Sequence, residues 1–169
     1  MIASTPGGSN LKKKTLIERL REEIRAITKR ETEIIRVSKV IECAWRHETS
    51  RPGRHHDWTQ DNAAVGQSDV TAMLVQDKLG GEIRKTEVPG YGPHYYNVLP
   101  DGRRLGLADK KFPMGTLIPE GQPIDPADLP ASDDGQKHHL ADRFSYFSDR
   151  YDDVLKALDP PHARKPKKR

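Results

Sequence analysis

GQSDVTAMLVQDKLGGEIRKTEV, residues 66–88, changes its hydrophobic period in the middle, and that change decides the fold class. Up to Leu79 the apolar side chains Val70, Met73, Leu74 and Leu79 recur at helical spacing, with Asp69 in the first turn and Gly80-Gly81 to stop the helix. From Glu82 to Val88 the run reads as a strand. Two more strand-like runs follow, His94–Leu99 and Arg103–Asp109, with the turn signal Asp101-Gly102 between them. The expectation is an α+β domain in which a helix opening at Ser68 packs on an antiparallel sheet of at least three strands.

Upstream, Glu48 to Gln67 is polar, contains Pro52, Gly53 and Arg54-His55-His56, and reads as loop. Before it a helical pattern runs from Leu11 to His47. Positions 17, 20, 24, 27, 31, 34, 38 and 41 alternate spacings of three and four, and six of them are Ile or Leu. Glu31 and Ser38 interrupt the stripe, which suits a homo-oligomer through residues 17–41 or docking of the helix on its own domain. Cys43 falls on the apolar part of this helix and reads as a buried, inert thiol. Downstream, residues 113–137 hold five prolines and five acids and read as an irregular loop. A final helix over about 139–158 places Leu140, Phe144, Phe147, Tyr151, Leu155 and Leu158 on one stripe. The chain thus divides into a disordered 1–10, a charged amphipathic extension over 11–36, a domain over 37–158 and a basic disordered tail over 159–169.

Composition narrows the function classes. Of 169 residues 34% are hydrophobic and 32% charged, enough for one modest core. No run approaches the roughly 18 apolar residues of a membrane span, and one cysteine excludes an internal disulfide framework. A cytoplasmic protein is expected. Residues 1–39 carry ten Lys/Arg against five Glu, and residues 160–169 carry five Lys/Arg and no acid. The body, 40–159, is acidic, with fourteen basic and twenty acidic side chains. Nucleic acid is therefore a weak partner candidate, through Lys12–Lys14 and Arg164–Arg169 alone. His55-His56 and His138-His139 lack metal-ligand spacing, and neither a metal nor a cofactor is expected.

Ser68 would stand at a helix N-terminus, where backbone N–H groups and the helix dipole favour a developing oxyanion or a thiolate. Serine is also a preferred N-cap, and capping alone explains it from composition. If Asp101-Gly102 form a two-residue turn, Pro100 faces Arg103 and His94 lies opposite Asp109, within reach of its carboxylate. A looser turn removes that pairing. Asn97 projects to the face opposite His94.

The run Asn62-Ala63-Ala64-Val65-Gly66-Gln67-Ser68-Asp69-Val70-Thr71-Ala72, with Leu74-Val75-Gln76-Asp77 and Gly80-Gly81, resembles the signature of the YunG-like family of small bacterial proteins. His94-Tyr95-Tyr96-Asn97, Leu99-Pro100-Asp101-Gly102-Arg103 and Phe112 continue the resemblance in order. It implies a papain/transglutaminase-like thiol-enzyme arrangement, with cysteine at position 68, a histidine at 94 and an aspartate at 106. This chain has Ser68 and Gly106 there. The resemblance then implies a catalytically impaired protein that binds a peptide or protein partner through a relict cleft or its N-terminal helix. The alternatives are a hydrolase or acyl transferase of amide or ester bonds, and a nucleic-acid-associated protein. The candidate catalytic residues are Ser68, His94 and Asp109, and the candidate substrate-binding residues are Gln67, Trp58, Asn62, Tyr96 and Asn97.

Overall fold

The computed structural model describes residues 15–129 and 137–159. Helix α1 (Leu16–Ala44) opens on a capping box: the Thr15 hydroxyl accepts from the Glu18 N–H at 3.2 Å, and the Glu18 carboxylate accepts from the Thr15 N–H at 2.8 Å. The chain divides into two units, one ending at Glu33 and one starting at Ile34. In the first, Ile17, Leu20, Ile24 and Ile27 are 43–62% exposed. In the second, Ile34, Val37, Val40, Ile41 and Ala44 are buried. The expected seam is therefore split, because Ile34, Ser38 and Ile41 belong to the core of the second unit. Cys43 is exposed, not buried as expected. It lies on the stripe of Ile35 and Lys39, four residues apart and both exposed, which turns away from the core.

Helix α2 (Ser68–Leu79) and strand β1 (Glu82–Val88) have the bounds the sequence suggests. Strand β2 (Gly92–Val98) pairs antiparallel with β1, from Glu82 opposite Val98 to Val88 opposite Gly92. Strand β3 is only Arg104–Leu105, and the expected run to Asp109 becomes a 3-10 helix over Leu107–Lys111. The turn is also looser than two residues: Leu99 donates to the Arg103 carbonyl at 2.8 Å, with Pro100, Asp101 and Gly102 between them.

Inside the expected irregular loop, strand β4 (Gln122–Ile124) pairs antiparallel with β1 and completes a four-stranded sheet in the order β3-β2-β1-β4. Its three residues include Pro123, which an edge strand tolerates because proline has no ladder N–H to offer. Helix α2 packs on β2 and β1, and helix α3 (Lys137–Leu158) packs on α2. Leu140, Phe147 and Tyr151 of α3 are buried, while Leu158 is exposed. The core lies between α2, the sheet, α3 and the second half of α1. No helix among the described residues is long and apolar enough to cross a membrane. The basic segments Lys12–Lys14 and Arg164–Arg169 lie outside the described residues.

Candidate functional site

The segment leading into α2 is held by buried polar contacts. Gly66 adopts φ 69°, and a side chain there would strike the Ser50 hydroxyl. That hydroxyl donates to the Val65 carbonyl at 2.9 Å, and the Gly66 carbonyl accepts from the Arg51 N–H at 2.9 Å. Arg143 reaches in from α3, 6% exposed, and binds the Asp69 carboxylate with two nitrogens, each at 2.9 Å. The same guanidinium donates to the carbonyls of Thr49 and Gly66. Burial raises the Asp69 pKa, but Arg143 and then Arg51, 3.6 Å away, outweigh it and hold the carboxyl below its ordinary value. Asp69 also accepts from the Val70 N–H at 2.8 Å, so Asp69, not Ser68, satisfies a donor of the first turn.

Ser68, 4% exposed, lines a cleft of about 470 Å³. Arg51, Arg54 and Lys111 bring positive charge to its wall against Asp57, while Val65, Tyr91, Phe112 and Pro113 supply apolar surface. The Lys111 ammonium lies 3.5 Å from the Ser68 hydroxyl and 4.9 Å from the centre of the Phe112 ring. Burial pushes the Lys111 amine down to about 8, helped by Arg51 and Arg54 and opposed by Asp69 and Asp109.

His94 and Asp109 do meet. His94 Nε2 is 2.7 Å from Asp109 Oδ1, while Arg104 donates to Oδ2 at 2.6 Å. The route differs from the sequence argument: the looser turn displaces the strand register by one residue, and the 3-10 helix, not a strand, swings Asp109 across. A Cβ built on Gly106 would fall on the Asp109 carboxylate. Asp109 thus delivers its oxygens into the volume beside position 106, where the resemblance implies an aspartate. Burial lowers the His94 pKa; the Asp109 bond opposes this, and Lys111 and Arg104 add to it. His94 Nδ1 is buried without a partner among the described residues.

Ser68 and His94 are a different matter. Alternation along β2 puts Tyr95 and Asn97 on the face covered by α2, where Asn97 Nδ2 donates to the Ala72 carbonyl at 2.9 Å. His94 and Tyr96 alternate with them; the His94 ring meets Phe112 of the cleft wall edge to face, 4.9 Å between centres, and no hydrogen bond links His94 to Ser68 among the described residues. Of the candidate substrate-binding residues, Asn62 lines the cleft. Gln67 is buried and donates to the Arg46 carbonyl, and Trp58 donates to the Ala63 carbonyl and stacks edge-on with His47. The Tyr96 hydroxyl accepts from the Gly121 N–H under the Arg104 guanidinium. Sequence reasoning missed Lys111, Arg51 and the Asp69–Arg143 pair. Lys111 carries no signal beyond its neighbour Phe112, and partners 74 residues apart leave none.

An α+β domain with a serine-headed helix over an antiparallel sheet is the class these features define. The profile of the YunG protein family matches residues 33–156, and the chain belongs to that family. It is similar to the protein named "Uncharacterized protein YunG" of Bacillus subtilis (strain 168), with 29% identity over 118 residues, 64% of this chain and 89% of that protein. No solved structure matches.

Proposed function

We propose that the protein is a catalytically impaired relative of papain/transglutaminase-like thiol enzymes that uses the cleft beside Ser68 to bind a peptide or protein partner. The observation that carries this reading is the company Ser68 keeps. Its hydroxyl has Lys111 at 3.5 Å, whereas His94 bonds to Asp109 and packs on the Phe112 ring, 4.9 Å between centres, with no hydrogen bond to Ser68 among the described residues. A thiol-enzyme cycle needs histidine on the nucleophile, and a serine hydroxyl depends on that base more than a thiol does. The cleft outlives that loss.

The test places a thiol at the site and asks whether His94 activates it. In a Cys43→Ser/Ser68→Cys background the thiol-reactive electrophile rate should change by less than about twofold on adding His94→Ala. Lys111 and the helix dipole raise the absolute rate by themselves, so the His94 comparison decides. A large His94-dependent rate overturns the reading.

The same Lys111 contact favours a second reading, a hydrolase or acyl transferase. There Lys111, already pulled down to about 8, takes the Ser68 proton as the hydroxyl attacks an ester or amide carbonyl, and returns it to the alcohol or amine that leaves as the C–O or C–N bond breaks. Labelling of Ser68 by a fluorophosphonate, rising with pH through about 8 and absent in Lys111→Arg, would establish it over the first.

A further inference from the structure

We infer that the group held beside Ser68 is the terminal carboxylate of a peptide whose last side chain is apolar. This inference rests on the binding reading above and adds the chemistry of the ligand. Three features converge on one end of the cleft. Lys111 brings an ammonium to the Ser68 hydroxyl and makes no ion pair among the described residues. Gln67 gives α2 no side-chain cap, and although Asp69 takes the Val70 N–H, the helix start at Ser68 carries the positive end of the helix dipole. Arg51 and Arg54 extend the positive wall, each already beside one carboxylate, Asp69 and Asp57 respectively.

The apolar part of the lining, which begins at the Phe112 ring beside the Lys111 ammonium, separates a carboxylate from a phosphate. Tyr91 and Phe112 stack edge to face, 5.1 Å between ring centres, beside Val65 and Pro113. A bare phosphate leaves that surface wet. A peptide end places its carboxylate on Lys111 and its last side chain on the rings, and about 470 Å³ holds such a residue.

Charge around Lys111 supports the assignment. Ser68 and Asp69 face it from α2, Arg51 and Arg54 from the segment before α2, His94 from β2, and Asp109 from its own 3-10 helix. The cations and burial hold its amine at about 8, so the ammonium is the prevailing form at pH 7 and is underpaired there. An anion would relieve it, and loss of the Lys111 proton would weaken the anion's hold.

The experiment is an NMR titration of the full ¹⁵N-labelled chain with N-acetylphenylalanine and with N-acetylphenylalaninamide, read at the Ser68 and Asp69 amides. At pH 7 the acid should give saturable shifts, with the neutral amide about tenfold weaker or worse. Lys111→Met should weaken the acid by a similar factor, and Lys111→Arg should keep it within about threefold, because charge and not proton transfer is needed. Between pH 7 and pH 9 wild-type affinity should fall about fivefold or more, and that of Lys111→Arg should not. Equal binding of acid and amide overturns the carboxylate assignment and leaves the cleft a peptide site. An acid that gives no saturable shift overturns it as well. Fluorophosphonate labelling of Ser68 bears instead on the underlying reading, so the two failures are distinguishable.

Discussion

A single missing side chain lets Asp109 reach His94. At Gly106, φ is −113°, so the backbone does not demand glycine; the space does, because the Asp109 carboxylate fills it. Gly106→Ala should therefore fold, since the end of a short side chain can swing away, but lose about 1–3 kcal/mol because the buried His94 ring gives up its bond. The His94–Asp109 bond should break, and the His94 pKa, followed by NMR, should fall further below its ordinary value. Asp109→Asn should move it in the same direction, and an upward shift in either variant would refute the arrangement.

Lys111 offers a second test at this scale. Its amine is depressed in the folded state to about 8 against 10.5 for the free side chain. Between those values the unfolded chain holds more protons, so stability from this group rises with pH. Urea unfolding should show that rise from pH 7 to pH 9 in the wild type, and a smaller one in Lys111→Met. At pH 7 the Met variant should be the more stable, by about 1 kcal/mol or more, because it no longer buries an unpaired charge.

Among the elements, α2 and α3 are joined by an ion pair that neither helix announces. Arg143 sits on α3 between Leu140 and Phe147, on a face the periodicity assigns to the core, and its partner Asp69 reads as an ordinary first-turn acid. Arg143→Ala leaves the buried Asp69 carboxylate with Arg51 at 3.6 Å and strips donors from the Thr49 and Gly66 carbonyls. Unfolding free energy should drop by about 3–5 kcal/mol. Pairing Arg143→Met with Asp69→Asn should cost clearly less than the sum of the single changes. The early part of α1 should behave oppositely. Leu20 and Ile24 are 43% and 62% exposed, so Leu20→Glu/Ile24→Glu should alter the thermal stability of the second unit by less than about 0.5 kcal/mol.

Over the whole molecule, periodicity made legible what local chemistry dictates. Helix α2 and strand β1 follow from the change of period at Gly80-Gly81, and the stripe of α3 from its aromatics. Strand β4 was not readable, because three residues with a proline make a strand only when β1 offers an edge. Strand β3 is shorter than its composition suggests, because Leu105-Gly106-Leu107 suits a strand but the chain turns at Gly106 into a 3-10 helix. The His94–Asp109 contact does not follow from the strand register, which the looser turn shifts by one residue; the 3-10 helix makes it by another path. The charges around Ser68 come from residues 51, 54 and 111 and were dispersed through a sequence whose body is net acidic.

The volume beside Gly106 bears on how such proteins are sorted. Read by residue identity, position 106 offers no acid, since glycine has no side chain at all. A comparison made by position in space finds carboxylate oxygens there, carried three residues further along the backbone. A substitution survey that reads residue identity at 106 alone would therefore miss the acid that occupies this volume, and a mutation at 109 would empty it without touching the position beside which it sits.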